Sequence, residues 1–253
     1  MTALLSIRGL RKAYGALKVT DGIDLDLTGG EVHAIIGPNG AGKTTFVAQL
    51  AGQIRQDSGT IHYDGRNVSH TDMAGRVRLG MARSFQITSI LPGFSVLDNV
   101  AMAVQARSGS SFRFFRAAAK ERALNDAALE YLDQVGLAGR AGEVARNLSH
   151  GEHRQMEIAM ALATRPKVLL LDEPFAGTGQ QEAKMLLRLL QGLRGNLTML
   201  LIEHDMNAVF ALADRVSVMV YGRLIATGTP TEVRADPEVR AAYLGDEAPQ
   251  GAT

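Results

Sequence analysis

The sequence has no cysteine, which excludes a disulfide framework, a thiolate metal site and a cysteine nucleophile. That absence is compatible with a reducing cytosol. Charge imbalance is missing too: 27 Lys and Arg residues face 26 Asp and Glu, for a formal net charge of +1. The basic residues are scattered without a long run, so nothing electrostatic argues for a nucleic-acid partner. Apolar runs such as Val168 to Leu171 are far too short to cross a bilayer. The start of the chain, Met1 to Arg8, has neither the basic region nor the apolar core of a signal peptide. A soluble chain is expected, reaching any membrane role through a partner. There is no internal repeat and no extended low-complexity segment.

At 253 residues the chain suits one large domain, or a domain carrying a subdomain. Its most informative stretch is Gly37-Pro38-Asn39-Gly40-Ala41-Gly42-Lys43-Thr44-Thr45, which fills every fixed position of the phosphate-binding pattern G-x-x-x-x-G-K-[ST]. It follows the apolar run Val32 to Ile36 and precedes a helical stretch, Thr45 to Ala51. Gly37, Gly40 and Gly42 let the backbone curl so that successive N–H groups face phosphate oxygens, and the helix adds its N-terminal dipole. Lys43 is expected to reach the β- and γ-phosphates of a nucleoside triphosphate, and the Thr44 hydroxyl to ligate Mg²⁺.

Around this loop the texture is β-rich. Leu4 to Leu10 and Val19 to Leu27 alternate as antiparallel strands, and Thr60 to Tyr63 reads as a strand entering a turn at Asp64-Gly65. From about Phe94 to Gly136 the pattern becomes helical: Ser95 and Asp98 form a capping box, and Ala117 to Val135 carries apolar residues at helical spacing. Between them, Arg107 to Arg116 reads as a loop whose Phe112, Phe114 and Phe115 pack down or meet a partner. Strands at Lys167 to Leu171, Leu197 to Ile202 and Arg215 to Val220 then alternate with helices at Gln180 to Leu193 and Met206 to Ala213. Near-continuous apolar strands separated by helices imply a parallel sheet covered on both faces. Thr229 to Glu232 is a further capping box, followed by a helical stretch from Pro237 to Leu244.

Two segments add chemistry to binding. Val168 to Leu171 leads into Asp172-Glu173, a pair of carboxylates at a strand end, where parallel sheets place their ligands. Asp172 suits Mg²⁺, and Glu173 suits polarisation of an attacking water. Leu148-Ser-His-Gly-Glu152 opens the helical run His153 to Thr164; Ser149 and Glu152 have capping-box spacing, and Ser149 with the backbone near Gly151 also makes a natural anion site.

The ordered set of the phosphate loop, Gln86 after Arg-Ser-Phe, Leu148 to Glu152, Leu171 to Pro174 and Glu203-His204-Asp205 resembles the nucleotide-binding subunit of ABC transporters over nearly the whole chain. The resemblance implies an α/β fold of the P-loop NTPase class. A RecA-like parallel-sheet core would carry an antiparallel β subdomain and an α-helical subdomain inserted at about 90–165. Residues 1–245 would form a single nucleotide-binding domain with short helices at about 229–245, and 246–253 a flexible tail. It implies ATP and Mg²⁺ as cofactors, with Tyr14 stacking on adenine, His204 contacting the γ-phosphate, and Gln86 linking the Mg²⁺ and water site to the helical subdomain. It also implies head-to-tail pairing with a second ATPase subunit, identical or different, in which Ser149 and Gly151 complete the opposite site. Membrane-spanning permease subunits, and indirectly a periplasmic or extracellular solute-binding protein, are the further partners implied. The implied location is peripheral, on the cytoplasmic face of the plasma membrane.

Within that family, Ile90 to Asn99, Met156 to Ala163, His204-Asp-Met and Gly228 to Gly245 look like the branched-chain amino acid uptake branch. ATPases for urea or amides, and a soluble ABC ATPase outside transport, are the alternatives. Two segments depart from the family pattern. His150 stands where glycine is usual, with Glu152 where glutamine is common, and Phe175 to Gly179 replaces the common Ser-Ala-Leu-Asp. The missing aspartate points to a heterodimer with a second, similar ATPase, whose two sites need not be equivalent.

Overall fold

The computed structural model describes residues 3–84, 90–107 and 118–241. The Gln86 reading, the Phe-containing loop at 108–117, the last residues of the Pro237 to Leu244 stretch and the 246–253 tail lie outside them.

In chain order, β1 (Ala3–Tyr14), β2 (Leu17–Thr28) and β3 (Val32–Ile36) precede the phosphate loop and α1 (Lys43–Leu50). Then come β4 (Ser58–Tyr63), β5 (Arg66–Asn67), α2 (Met73–Leu79), β6 (Met81–Arg83), α3 (Val96–Arg107), α4 (Ala118–Gln134) and α5 (His150–Ala163). The last third holds β7 (Val168–Asp172), α6 (Gln180–Leu193), β8 (Thr198–Ile202), α7 (Met206–Leu212), β9 (Arg215–Val220) and β10 (Arg223–Gly228). The short helices α8 (Pro230–Ala235) and α9 (Pro237–Val239) follow. These elements divide into two compact units, Met1–Arg76 with Arg194–Thr253, and Val77–Leu193.

In the first unit β2, β1, β4 and β5 form an antiparallel sheet in that order. Alternation along β1 and β2 buries Leu5, Ile7, Leu10, Ile23, Leu25 and Leu27, so one face of the sheet becomes core while polar residues take the other. The same unit contains β3, which pairs in parallel with β8 on one side and β9 on the other. All five residues of β3 and of β8 are buried, as a two-sided parallel sheet requires. His33 sits inside that run without breaking it, because its ring nitrogens meet Glu31 and the Ser217 hydroxyl, both at 2.8 Å. β10 extends β9 antiparallel through a turn at Tyr221-Gly222, an edge strand that the sequence pattern does not announce. Its residues are half-buried or exposed, so it lacks the apolar signature of its neighbours.

In the second unit β6 and β7 pair in parallel, and α3, α4 and α5 pack on one another. α6 follows over the span expected from its periodicity and buries Leu186 and Leu190. Each expected capping box is formed: Ser95 with Asp98 ahead of α3, Ser149 with Glu152 on α5, and, in the first unit, Thr229 with Glu232 on α8. Among the described residues no helix is long and apolar enough to cross a membrane.

Candidate nucleotide site

The phosphate loop leaves β3 and enters α1 through two glycines whose space is set by other strands. Gly37 has φ +151°, and a Cβ there would lie 2.0 Å from the Met219 carbonyl oxygen of β9. Gly42 has φ +104°, and its Cβ would lie 2.1 Å from the Val19 carbonyl oxygen of β2. Neither clash can be relieved by a side-chain rotation, since both partners are backbone. Asn39 and Gly40 form the exposed tip beside a half-buried Pro38, and Ala41 anchors the loop by accepting the Gly222 N–H at 2.9 Å. Lys43 is buried, and its ammonium donates to the carbonyls of Gly37 at 2.6 Å and Pro38 at 2.9 Å, which curls the loop around the cation. Gly42 caps α1 with no side-chain hydrogen bond, so no capping side chain covers the first-turn amides. Thr44 is exposed on that first turn and Thr45 is half-buried.

The same unit holds Tyr14 and His204. Tyr14 ends β1 with a half-exposed ring, and Lys12 Nζ sits 5.4 Å from its centroid while pairing with Asp57 at 2.6 Å. That pairing, together with the Ala13 N–H, holds the Asp57 carboxyl below its usual range. His204 is the second residue past β8, and its side chain is 60% exposed. Asp205 caps α7 by accepting the N–H groups of Asn207 and Ala208.

The second unit holds the remaining residues. Asp172 ends β7, and its Oδ2 accepts from the Arg83 guanidinium at 2.6 Å. Burial pushes the Arg83 guanidinium down, and the Asp172 carboxylate opposes that shift. Glu173 has φ +49°, a left-handed conformation that costs a non-glycine residue about 1 kcal/mol, and its carbonyl accepts the Ala176 N–H in the turn that follows. Ser149 caps α5, accepting the Glu152 N–H at 3.2 Å while Glu152 accepts the Ser149 N–H at 2.7 Å. That backbone bond, and then Arg140, hold the Glu152 carboxyl below its usual range.

Glu182 of α6 reaches the same helix end. It accepts from the Ser149 hydroxyl at 3.3 Å and from the Gly179 N–H at 2.9 Å. A Cβ on Gly151 would fall 2.2 Å from its carboxyl carbon, so this carboxylate occupies the space that glycine leaves. The two departures from the family pattern also meet here: a Cβ on Gly177 would lie 3.0 Å from the His150 ring.

Tyr14, the loop and His204 thus share one unit, and Asp172, Glu173, Ser149 and Gly151 share the other. Arg83, Glu182 and Glu203 are the contributors that residue patterns missed. Arg83 opens the Arg-Ser-Phe run before Gln86 and Glu203 opens Glu203-His204-Asp205, so both stood inside recognised segments with no role read for them. Glu182 lies 31 residues from Gly151 and had none. Among the described residues no group of three or more His, Asp or Glu side chains could hold a metal by itself.

The ABC transporter family profile matches residues 20–176, and that of the branched-chain amino acid ATP-binding cassette transporter matches residues 223–249. The chain is 38% identical over 250 residues to the high-affinity branched-chain amino acid transport ATP-binding protein LivG of Salmonella typhimurium, covering 96% of this chain and 98% of that protein. It is 35% identical over 246 residues to the lipopolysaccharide export system ATP-binding protein LptB of Escherichia coli, covering 97% and 98%. A solved ATP-binding cassette of an ABC transporter in its ADP conformation superposes with a TM-score of 0.84 at 27% identity, covering 97% of this chain and all of that one.

Proposed function

This chain belongs to the ABC transporter family of ATP-hydrolysing cassettes, and from that premise we propose that it powers an importer for branched-chain or related amino acids. The observation carrying the substrate class is the match of residues 223–249 to the branched-chain amino acid cassette, a segment separate from the nucleotide motifs. LptB of Escherichia coli, a relative of similar identity, serves lipopolysaccharide export, so the nucleotide motifs by themselves do not select a cargo.

In this reading the amides of Gly40 to Thr44 and the Lys43 ammonium hold the β- and γ-phosphates, and Tyr14 stacks on adenine. Thr44 and Asp172, with Gln86, would hold Mg²⁺, whose charge would offset that of the phosphate oxygens. Arg83 keeps one Asp172 oxygen fixed. Glu173 accepts a proton from the attacking water, and His204 donates to the γ-phosphate. Ser149 and Gly151 act on the nucleotide held by a second cassette, so ATP joins the two subunits and hydrolysis loosens them. The helical segment of residues about 90–165 passes that movement to a permease at the cytoplasmic face of the membrane. A separate solute-binding protein delivers the cargo. With Phe175 to Gly179 lacking the usual aspartate, the second cassette is a different, related chain.

Co-purification from membranes with a permease for branched-chain amino acids tests the cargo. Glu173→Gln is expected to lower ATP turnover about a hundredfold or more while ATP binding survives. Retained hydrolysis would remove Glu173 as the base, and a permease for another solute would remove the substrate assignment. A stable ATP-dependent homodimer with full, permease-insensitive turnover would overturn the heterodimer.

A further inference from the structure

Glu203 is a buried carboxylate that these roles leave unused. It follows β8, and its side chain is 1% exposed. Its N–H donates to the Ile35 carbonyl at 3.4 Å, which fixes the residue to β3 two positions ahead of Gly37. On its other side, Oε2 accepts the N–H groups of His204 at 2.9 Å and Asp205 at 3.3 Å. An ionised acceptor enclosed by protein makes such bonds stronger than a neutral one in water. His204 Nδ1 lies 3.8 Å from the same oxygen, beyond hydrogen-bond distance, so the carboxylate governs the imidazole through the backbone. Asp205 fixes the other end of this short segment by capping α7. His204 is therefore held between a buried anchor and a helix cap while its own ring stays exposed.

We infer that Glu203 is a positioning residue for ATP hydrolysis: its buried carboxylate sets the backbone of His204 and so aims the imidazole at the γ-phosphate held by the neighbouring loop. This rests on the reading of His204 as the γ-phosphate contact. Glu203 touches no reacting atom itself. Its effect on hydrolysis passes through His204, which makes it separable from a general contribution to the fold.

The test is a double-mutant cycle on the full-length chain assembled with its partner cassette and permease, with ATP and Mg²⁺, reading kcat and KM well below each variant's unfolding midpoint. Glu203→Ala is expected to lower kcat about tenfold with little change in KM. Glu203→Gln should recover part of that, because the amide oxygen still accepts an N–H. The double variant Glu203→Ala with His204→Ala should match His204→Ala alone. An effect that multiplies with that of His204→Ala, appears only in KM, or is absent overturns the inference and leaves the role of His204 standing. Unchanged kcat in His204→Ala overturns the His204 reading, and the inference with it. If Glu203→Ala does not fold, the cycle is run with Glu203→Gln, where a loss of about threefold and the same non-additivity are expected.

Discussion

The helix starts at α1 and α5, the two proposed phosphate contacts, are held by opposite means. At α1 the N-cap is Gly42, no side chain caps the helix, and the loop's course is dictated by carbonyls of β2 and β9 that leave no room for a Cβ. At α5 the N-cap is Ser149, a full capping box closes the first turn, and Glu182 accepts from the Ser149 hydroxyl. Steric enclosure confines the first loop to one course, because the flanking backbone yields less readily than a side chain. Side-chain hydrogen bonds make the second exchangeable: a hydroxyl given to a carboxylate can be given to a phosphate instead.

If enclosure governs α1, Gly42→Ala is the most damaging change. It combines a left-handed φ with a 2.1 Å approach to the Val19 oxygen, costing on the order of 3 kcal/mol or more. Nucleotide titration should show affinity lowered a hundredfold or more, and near-normal ATP binding would break the steric account. Gly151→Ala brings a similarly short contact, yet its partner is the end of a flexible side chain. A cost of about 1 kcal/mol, a few degrees in thermal unfolding, is expected, and Glu182→Ala in the same chain should remove most of it. An equal loss with and without Glu182 would place the strain elsewhere.

The smallest effect is electrostatic. The Glu152 carboxyl is held below its usual range by the Ser149 N–H and Arg140, so its ionised form stabilises the fold. The sign follows: that contribution is complete above the unfolded value of about 4.3 and is lost as pH falls through the lower folded value. Glu152→Gln keeps the capping geometry without the charge. Wild type should exceed it by about 2 °C at neutral pH, with the gap closing below pH 4. A gap independent of pH would show that the charge is not what matters.

Local pattern revealed a good part of this molecule. Three capping boxes were readable because a box is a matter of two residues three apart, and the span of α6 followed from its apolar spacing. Lys43, Asp172 and Glu173 could be singled out as candidates because phosphate chemistry restricts the residue types a loop and a strand end can carry. β6 and α2 were missed as too short to show a period, and β10 because an edge strand with half-exposed residues lacks one.

The sequence by itself determined the phosphate loop and the family, since both rest on residue types at fixed local spacing. Only the tertiary structure decided why Gly37 and Gly42 admit no side chain, that Glu182 lies against Gly151, that Arg83 holds Asp172 and that Glu203 is fixed to β3. Each depends on an atom brought from another part of the chain, and folding alone sets that distance.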